Sequence, residues 1–99
     1  LADGAFLGGH DRGVFSECYL AFESTVYARR EEILSRLEGP KKGALEDLIK
    51  LVHRFANGGR HSPSERASSG GFEVDHTDAE FCRLLATAAL AYLAKLESQ

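Results

Sequence analysis

The 99-residue sequence predicts an all-α fold, an antiparallel bundle of three to four helices with a long Gly/Ser-rich loop before the last helix. Three segments repeat apolar residues at the three- and four-residue spacing of a helix face. The alternating run at residues 72–75 is too short to define a strand. Hydrophobic residues make up 43% of the chain and charged residues 27%, as in globular proteins, and the length suits one domain over residues 1–99.

The first predicted helix covers residues 14–38. Its apolar stripe proceeds in steps of four, three and seven residues: Phe15, Tyr19, Phe22, Val26, Ile33 and Leu37. We expect residues 1–13 to form an irregular Gly-rich arm, because their four glycines lose the most conformational freedom on helix formation. Gly39 and Pro40 are expected to end the helix. The short connection to the next helix favours antiparallel packing of the two.

The second predicted helix covers residues 44–56. Its apolar positions follow the helical spacing throughout: Leu45, Leu48, Ile49, Val52, Phe55 and Ala56. The glycine pair of Asn57-Gly58-Gly59 is typical of a helix stop. Residues 57–71 hold four glycines, four serines and a proline but no large apolar residue, so we expect a mobile loop there.

The third predicted helix covers residues 77–97. Thr77 and Glu80 match the capping-box pattern at its start. Between Leu84 and Ala94 the helix is apolar on almost every side, which predicts burial either inside the bundle or against another chain. The sequence leaves open which side is core and which is interface. The predicted partner-binding residues are Leu84, Ala88, Ala89, Tyr92, Leu93 and Leu96.

The third helix, apolar on almost every side, favours a non-catalytic interaction or oligomerisation module that binds a protein, either itself or another chain. A net charge of −3 disfavours nucleic acid as a partner, and no apolar run is long enough for a membrane span. We predict no enzyme activity, no catalytic residue, no cofactor and no metal. Two cysteines fit a reducing compartment, so we expect an intracellular, cytoplasmic protein. As an interaction module, it is expected to serve as a scaffold.

Cysteine and histidine side chains offer the alternatives. Cys18 and Cys82 fall on or beside apolar stripes, where we expect small buried hydrophobes. A disulfide would need their Cα atoms within about 7 Å, which sequence cannot establish. His76 has Asp75, Asp78 and Cys82 nearby as mixed metal ligands, but we expect a solvated helix start.

The run Arg-Leu-Glu-Gly-Pro at residues 36–40, between two amphipathic helices, resembles the start of the ligand-binding region of TetR-family regulators. The resemblance covers residues 14–56, under half of the chain, and the DNA-binding helix-turn-helix of the family is absent. It implies a small-ligand-binding or dimerisation domain as the alternative function. A small apolar ligand would then contact an aromatic set made of Phe15, Tyr19, Phe22, Phe55 and Tyr92.

Overall fold

A computed structural model describes residues 3–61 and 71–98, with side chains from residue 10 onward. Its elements in chain order are α1 (Asp3–Thr25), a 3₁₀ turn (Tyr27–Arg29), α2 (Arg30–Leu34), α3 (Gly39–Arg60) and α4 (His76–Glu97). Within these two ranges no strand occurs, and the all-α prediction is confirmed.

Helix α1 lies between the two other long helices. It packs along both α3 and α4, whereas α3 and α4 touch each other over a much smaller area. One core cluster surrounds Phe22, Val26 and Ile49, and a second surrounds Phe15 and Cys82. The last helix is therefore not the central one, although its apolar character suggested that position.

The first helix differs from the prediction at both ends. The expected arm of residues 1–13 is helical from Asp3, and the expected helix of residues 14–38 stops at Thr25. Packing explains the extension, because Asp11 is buried and Arg12 donates hydrogen bonds to distant carbonyls. The break coincides with the gap in the apolar stripe, and it turns Ile33 and Leu34 of α2 into the core.

Gly39 and Pro40 begin α3 rather than end the preceding helix. Glu38 is extended at the N-cap, Gly39 has a φ of 70°, and proline occupies the first turn. Proline suits that turn because an N–H in the first turn of a helix has no intrahelical acceptor, so the lack of one in proline costs no hydrogen bond. Glycine suits the left-handed backbone because it has no Cβ. The helix predicted at 44–56 therefore starts five residues earlier.

The glycine pair after Asn57 does not stop α3, which continues to Arg60. Gly58 and Gly59 are buried, and the ring of Phe15 occupies the space that a side chain at Gly59 would need. The expectation of a loop is thus wrong for residues 57–60. Residues 62–70 of that expected mobile loop lie outside the described residues. Residues 71–75 have no regular secondary structure, and the N–H of Phe72 donates to the carbonyl of Gly58 at 3.1 Å.

Helix α4 has its N-cap at Asp75, not at Thr77 as the sequence predicted. The N–H of Asp78 donates to Oδ1 of Asp75 at 2.9 Å, and the N–H of Asp75 donates to Oδ2 of Asp78 at 3.0 Å. The pair is a reciprocal capping box, placed two residues before the expected one. Two acidic side chains at the positive end of the helix dipole favour this choice.

Candidate interaction surface

One side of α4 exposes large apolar side chains to solvent. Phe81 is 54% exposed, Leu84 68% and Tyr92 40%, and Ala88 between them is also exposed. Spacings of three and four residues place these four on a single stripe of the helix, which we call the outer face of α4. Exposed apolar residues in one stripe, rather than scattered singly, mark a surface suited to association.

The predicted partner-binding residues divide between the two sides of α4. Leu84, Ala88 and Tyr92 belong to the outer face. Ala89 and Leu93 are buried against α1 and α3, at 6% and 1% exposure, so they cannot contact a partner while the chain is folded. Their assignment to the interface is corrected. Leu96 is half-buried and packs at the edge of the core.

The outer face of α4 continues toward α3. Phe55 of α3 and Phe81 of α4 meet edge to face, with ring centroids 5.7 Å apart. Leu51 lies one helical turn before Phe55 and is 49% exposed. Leu51 is not part of the apolar stripe that the sequence predicts for α3, and its side chain belongs to neither core cluster.

Charged side chains of opposite sign flank the outer face of α4. Glu80 lies at its N-terminal end and Lys95 at its C-terminal end, and both are exposed. Glu80 also lies 3.7 Å from His76 on the same helix. An apolar strip with an acidic end and a basic end complements a second strip of the same kind placed antiparallel to it.

A shallow groove of about 320 Å³ runs between α1 and α4 on another side of the molecule. Apolar side chains of both helices line it, including Ala21 and Leu90, and the ion pair between Arg29 and Glu97 closes one end. A second open pocket of about 440 Å³ is lined by Ile33, Arg36, Leu37 and Leu96.

The aromatic set that the sequence suggested for a small ligand does not gather around either space. Phe15 and Phe22 are fully buried in the two core clusters. Tyr92 is exposed on α4. Tyr19 instead stands in a polar cluster between α1 and α3.

That polar cluster centres on His53 of α3. Its Nε2 lies 2.5 Å from Oε1 of Glu23, and its ring stacks on Tyr27 at a centroid distance of 3.6 Å. Burial, and after it the nearby carboxylate of Glu23, raises the pKa of Tyr19 above its usual value. The arrangement links α1 and the 3₁₀ turn to α3.

Arg12 joins three separate segments, another contact that the sequence did not indicate. Its guanidinium donates to the backbone carbonyls of Gly59, His61 and Phe72 at 3.1, 2.7 and 3.0 Å. It also pairs with Glu73 at 3.1 Å. Arg12 thus satisfies carbonyls at the end of α3 and holds the segment that leads into α4.

The residues considered as metal ligands have other roles in the structure. Asp75 and Asp78 cap α4, while Cys82 is buried in the second core cluster. His76 lies 3.4 Å from the buried carboxylate of Asp11. Over residues 3–61 and 71–98, no three His, Cys, Asp or Glu side chains converge on a point where they could hold a metal ion.

Comparisons of the chain with family models, curated proteins and solved structures gave no match. The resemblance to TetR-family regulators gains no support from them and stays an expectation. In the part of the chain that the structure describes, no helix combines the length and the apolar character needed to cross a bilayer.

Proposed function

We propose that this chain is a non-catalytic helical interaction module in which the outer face of α4 binds the same face of a second copy. The observation that carries the proposal is the exposure of Phe81, Leu84 and Tyr92 along one stripe. Burying such side chains recovers about 25 cal/mol for each Å² removed from water. This gain is the driving force for association.

Charge complementarity favours a second copy as the partner. In an antiparallel pair centred on Ala88, Leu84 of each copy meets Tyr92 of the other. Glu80 then lies within one residue of the level of Lys95 of the second copy, close enough for their long side chains to pair, and symmetry repeats the pair at the other end. The small side chain of Ala88 at the crossing point lets the two helices approach closely. A two-fold arrangement of this kind is closed, so association stops at the dimer.

Charge reversal tests this register. Glu80→Lys and Lys95→Glu each place like charges opposite one another, whereas the double variant restores attraction with the signs exchanged. Exposed ion pairs contribute about 0.2–1 kcal/mol, and two pairs form per dimer, so each single variant should weaken dimerisation about 2- to 30-fold. The double variant should recover the wild-type dissociation constant in sedimentation equilibrium. A double variant no better than the single ones refutes the antiparallel register.

Leucine substitution tests the apolar face itself. Leu84 on α4 and Leu20 on α1 are 68% and 60% exposed, which makes Leu20→Arg a matched control for Leu84→Arg. Each Leu84 would bury its exposed part in the dimer, worth about 1–2 kcal/mol, so Leu84→Arg should weaken the dimer about 30- to 1,000-fold. Leu20→Arg should leave it unchanged. Wild-type protein that stays monomeric at about 1 mM overturns the proposal.

A small-ligand-binding domain is the second candidate, favoured by the apolar groove of about 320 Å³ between α1 and α4. Ala94 lines this groove, whereas Ala91 on the same helix is exposed and is absent from its lining. Ala94→Trp should abolish binding of the apolar fluorophore 1-aminoanthracene, and Ala91→Trp should not. Equal binding by both variants removes the groove as the ligand site.

A further inference from the structure

The pocket of about 440 Å³ beside the end of α4 combines apolar side chains with one positive charge. We call it the Arg36 pocket, and it is lined by Ile33, Arg36, Leu37 and Leu96. Ile33 is buried, Leu37 and Leu96 are half-buried, and Arg36 is exposed. Apolar surface therefore lies inside the pocket, and the charge lies at its opening. The volume falls in the range of small-molecule binding sites.

The guanidinium of Arg36 is positioned by the backbone and has no acidic partner. It donates a hydrogen bond of 2.6 Å to the backbone carbonyl of Glu97, at the end of α4. Within residues 3–61 and 71–98, no carboxylate lies within ion-pair distance of it, and the carboxylate of Glu97 pairs with Arg29 instead. Because a guanidinium carries five N–H donors, Arg36 keeps donors for a ligand.

We propose that the Arg36 pocket binds a single-chain amphiphile with an anionic head group, such as a fatty acid. The alkyl chain displaces water from Ile33, Leu37 and Leu96, which is the apolar contribution to binding. The carboxylate accepts hydrogen bonds from Arg36, whose planar fork of donors matches its two oxygens. The proposal does not depend on the proposed dimer, because Phe81, Leu84, Ala88 and Tyr92 do not line this pocket.

The groove between α1 and α4 has no such preference for a negative head group. The two charged residues in its lining, Arg29 and Glu97, pair with each other. A neutral apolar ligand suits that groove, whereas the Arg36 pocket selects by the sign of the head-group charge. Binding at the two places can therefore be told apart.

Decanoate and decyltrimethylammonium test this selectivity, because their alkyl chains are similar and their head groups have opposite charge. The full 99-residue chain is titrated with each amphiphile at neutral pH, below the micelle concentration, and followed by amide NMR. Decanoate should bind about 3- to 30-fold more tightly and should shift the amide signals of Ile33, Leu37 and Leu96. Octanoate should bind about 4- to 15-fold more weakly than decanoate, because it buries a shorter chain.

Substitution of the arginine separates charge from apolar contact. Arg36→Gln should weaken decanoate binding about 3- to 10-fold and remove the preference over decyltrimethylammonium. Arg54→Gln is the matched control, because Arg54 is an exposed arginine of α3 outside both linings, and it should bind as wild type does.

Three results would each overturn the proposal: equal affinity of the wild-type chain for the two amphiphiles, decanoate shifts confined to the groove between α1 and α4 or to the outer face of α4, and full decanoate affinity in Arg36→Gln. The wild-type comparison decides the matter even if Arg36→Gln fails to fold. Since all of these titrations can be read on monomer, loss of the proposed dimer would leave them unaffected.

Discussion

Replacing Gly59 by alanine gives the sharpest test of how α1 packs against α3. A Cβ at Gly59 would collide with the ring of Phe15. That ring cannot easily move aside, because Phe15 is fully buried with Phe55 at 5.3 Å and Phe72 at 6.2 Å. Overpacking of this kind costs about 1–3 kcal/mol. Gly43→Ala in the same helix is the matched control, since a Cβ there meets nothing within 4 Å.

The two variants should move stability in opposite directions. Gly43→Ala should stabilise the chain by about 0.5–1 kcal/mol, because alanine loses less conformational freedom in a helix than glycine does. Gly59→Ala should destabilise it, so the thermal midpoints of the two should differ by about 10 °C or more. Thermal and urea unfolding followed by circular dichroism measure this. Equal stabilisation by both variants would refute the contact and favour a helix that stops at Asn57.

Two further substitution pairs test contacts that the sequence did not predict. Asp75→Ala should cost about 1 kcal/mol of unfolding free energy and Thr77→Ala close to nothing, because Asp75 is the N-cap; the reverse order would restore the cap at Thr77. Arg12→Met should cost about 1–3 kcal/mol, because it strips three backbone carbonyls of their donor, while Arg54→Met on the exposed side of α3 should be nearly neutral. If urea unfolding showed that Arg12→Met lowers the unfolding free energy no more than Arg54→Met does, the hydrogen bonds of Arg12 would be dispensable.

The sequence predicted the helices well where the apolar stripe alone determines them. Residues such as Ile49 and Val52 are buried on the stripe that their spacing indicates. The predictions made from glycine content, an irregular arm at residues 1–13 and a helix stop after Asn57, were wrong, because intrinsic helix propensity is weak compared with packing. In the sequence, the glycine pair that includes Gly59 is typical of a helix stop. In the structure, the absence of a side chain at Gly59 leaves space for the ring of Phe15, which is 44 positions earlier (59 − 15 = 44). No local pattern contains that information.

The candidate surface was only half predictable for a related reason. The sequence identified α4 as apolar on nearly every side, and Leu84, Ala88 and Tyr92 were among the residues predicted to bind a partner. It could not separate them from Ala89 and Leu93, because that choice depends on which helix is central. Because α1 lies between α3 and α4, the side of α4 that carries Ala89 and Leu93 is buried and the side that carries Leu84 and Tyr92 is exposed.

The central position of α1 also indicates what the outer face of α4 is for. The outward side of α1 exposes the polar side chains of Glu17, Ser24 and Thr25, as expected of a helix whose free side meets water. Over residues 10–25 it exposes a single large apolar side chain, Leu20, rather than a stripe of them. The outer face of α4 is apolar although the folded chain leaves it uncovered, so these side chains add little to the stability of the monomer. Leu84→Arg should therefore change the unfolding free energy of dilute monomer by no more than about 0.5 kcal/mol, while Leu93→Ala in the core should cost about 2–5 kcal/mol. If Leu84→Arg destabilised dilute monomer as severely as Leu93→Ala, the outer face would belong to the core of the chain and the proposed dimer would lose its basis.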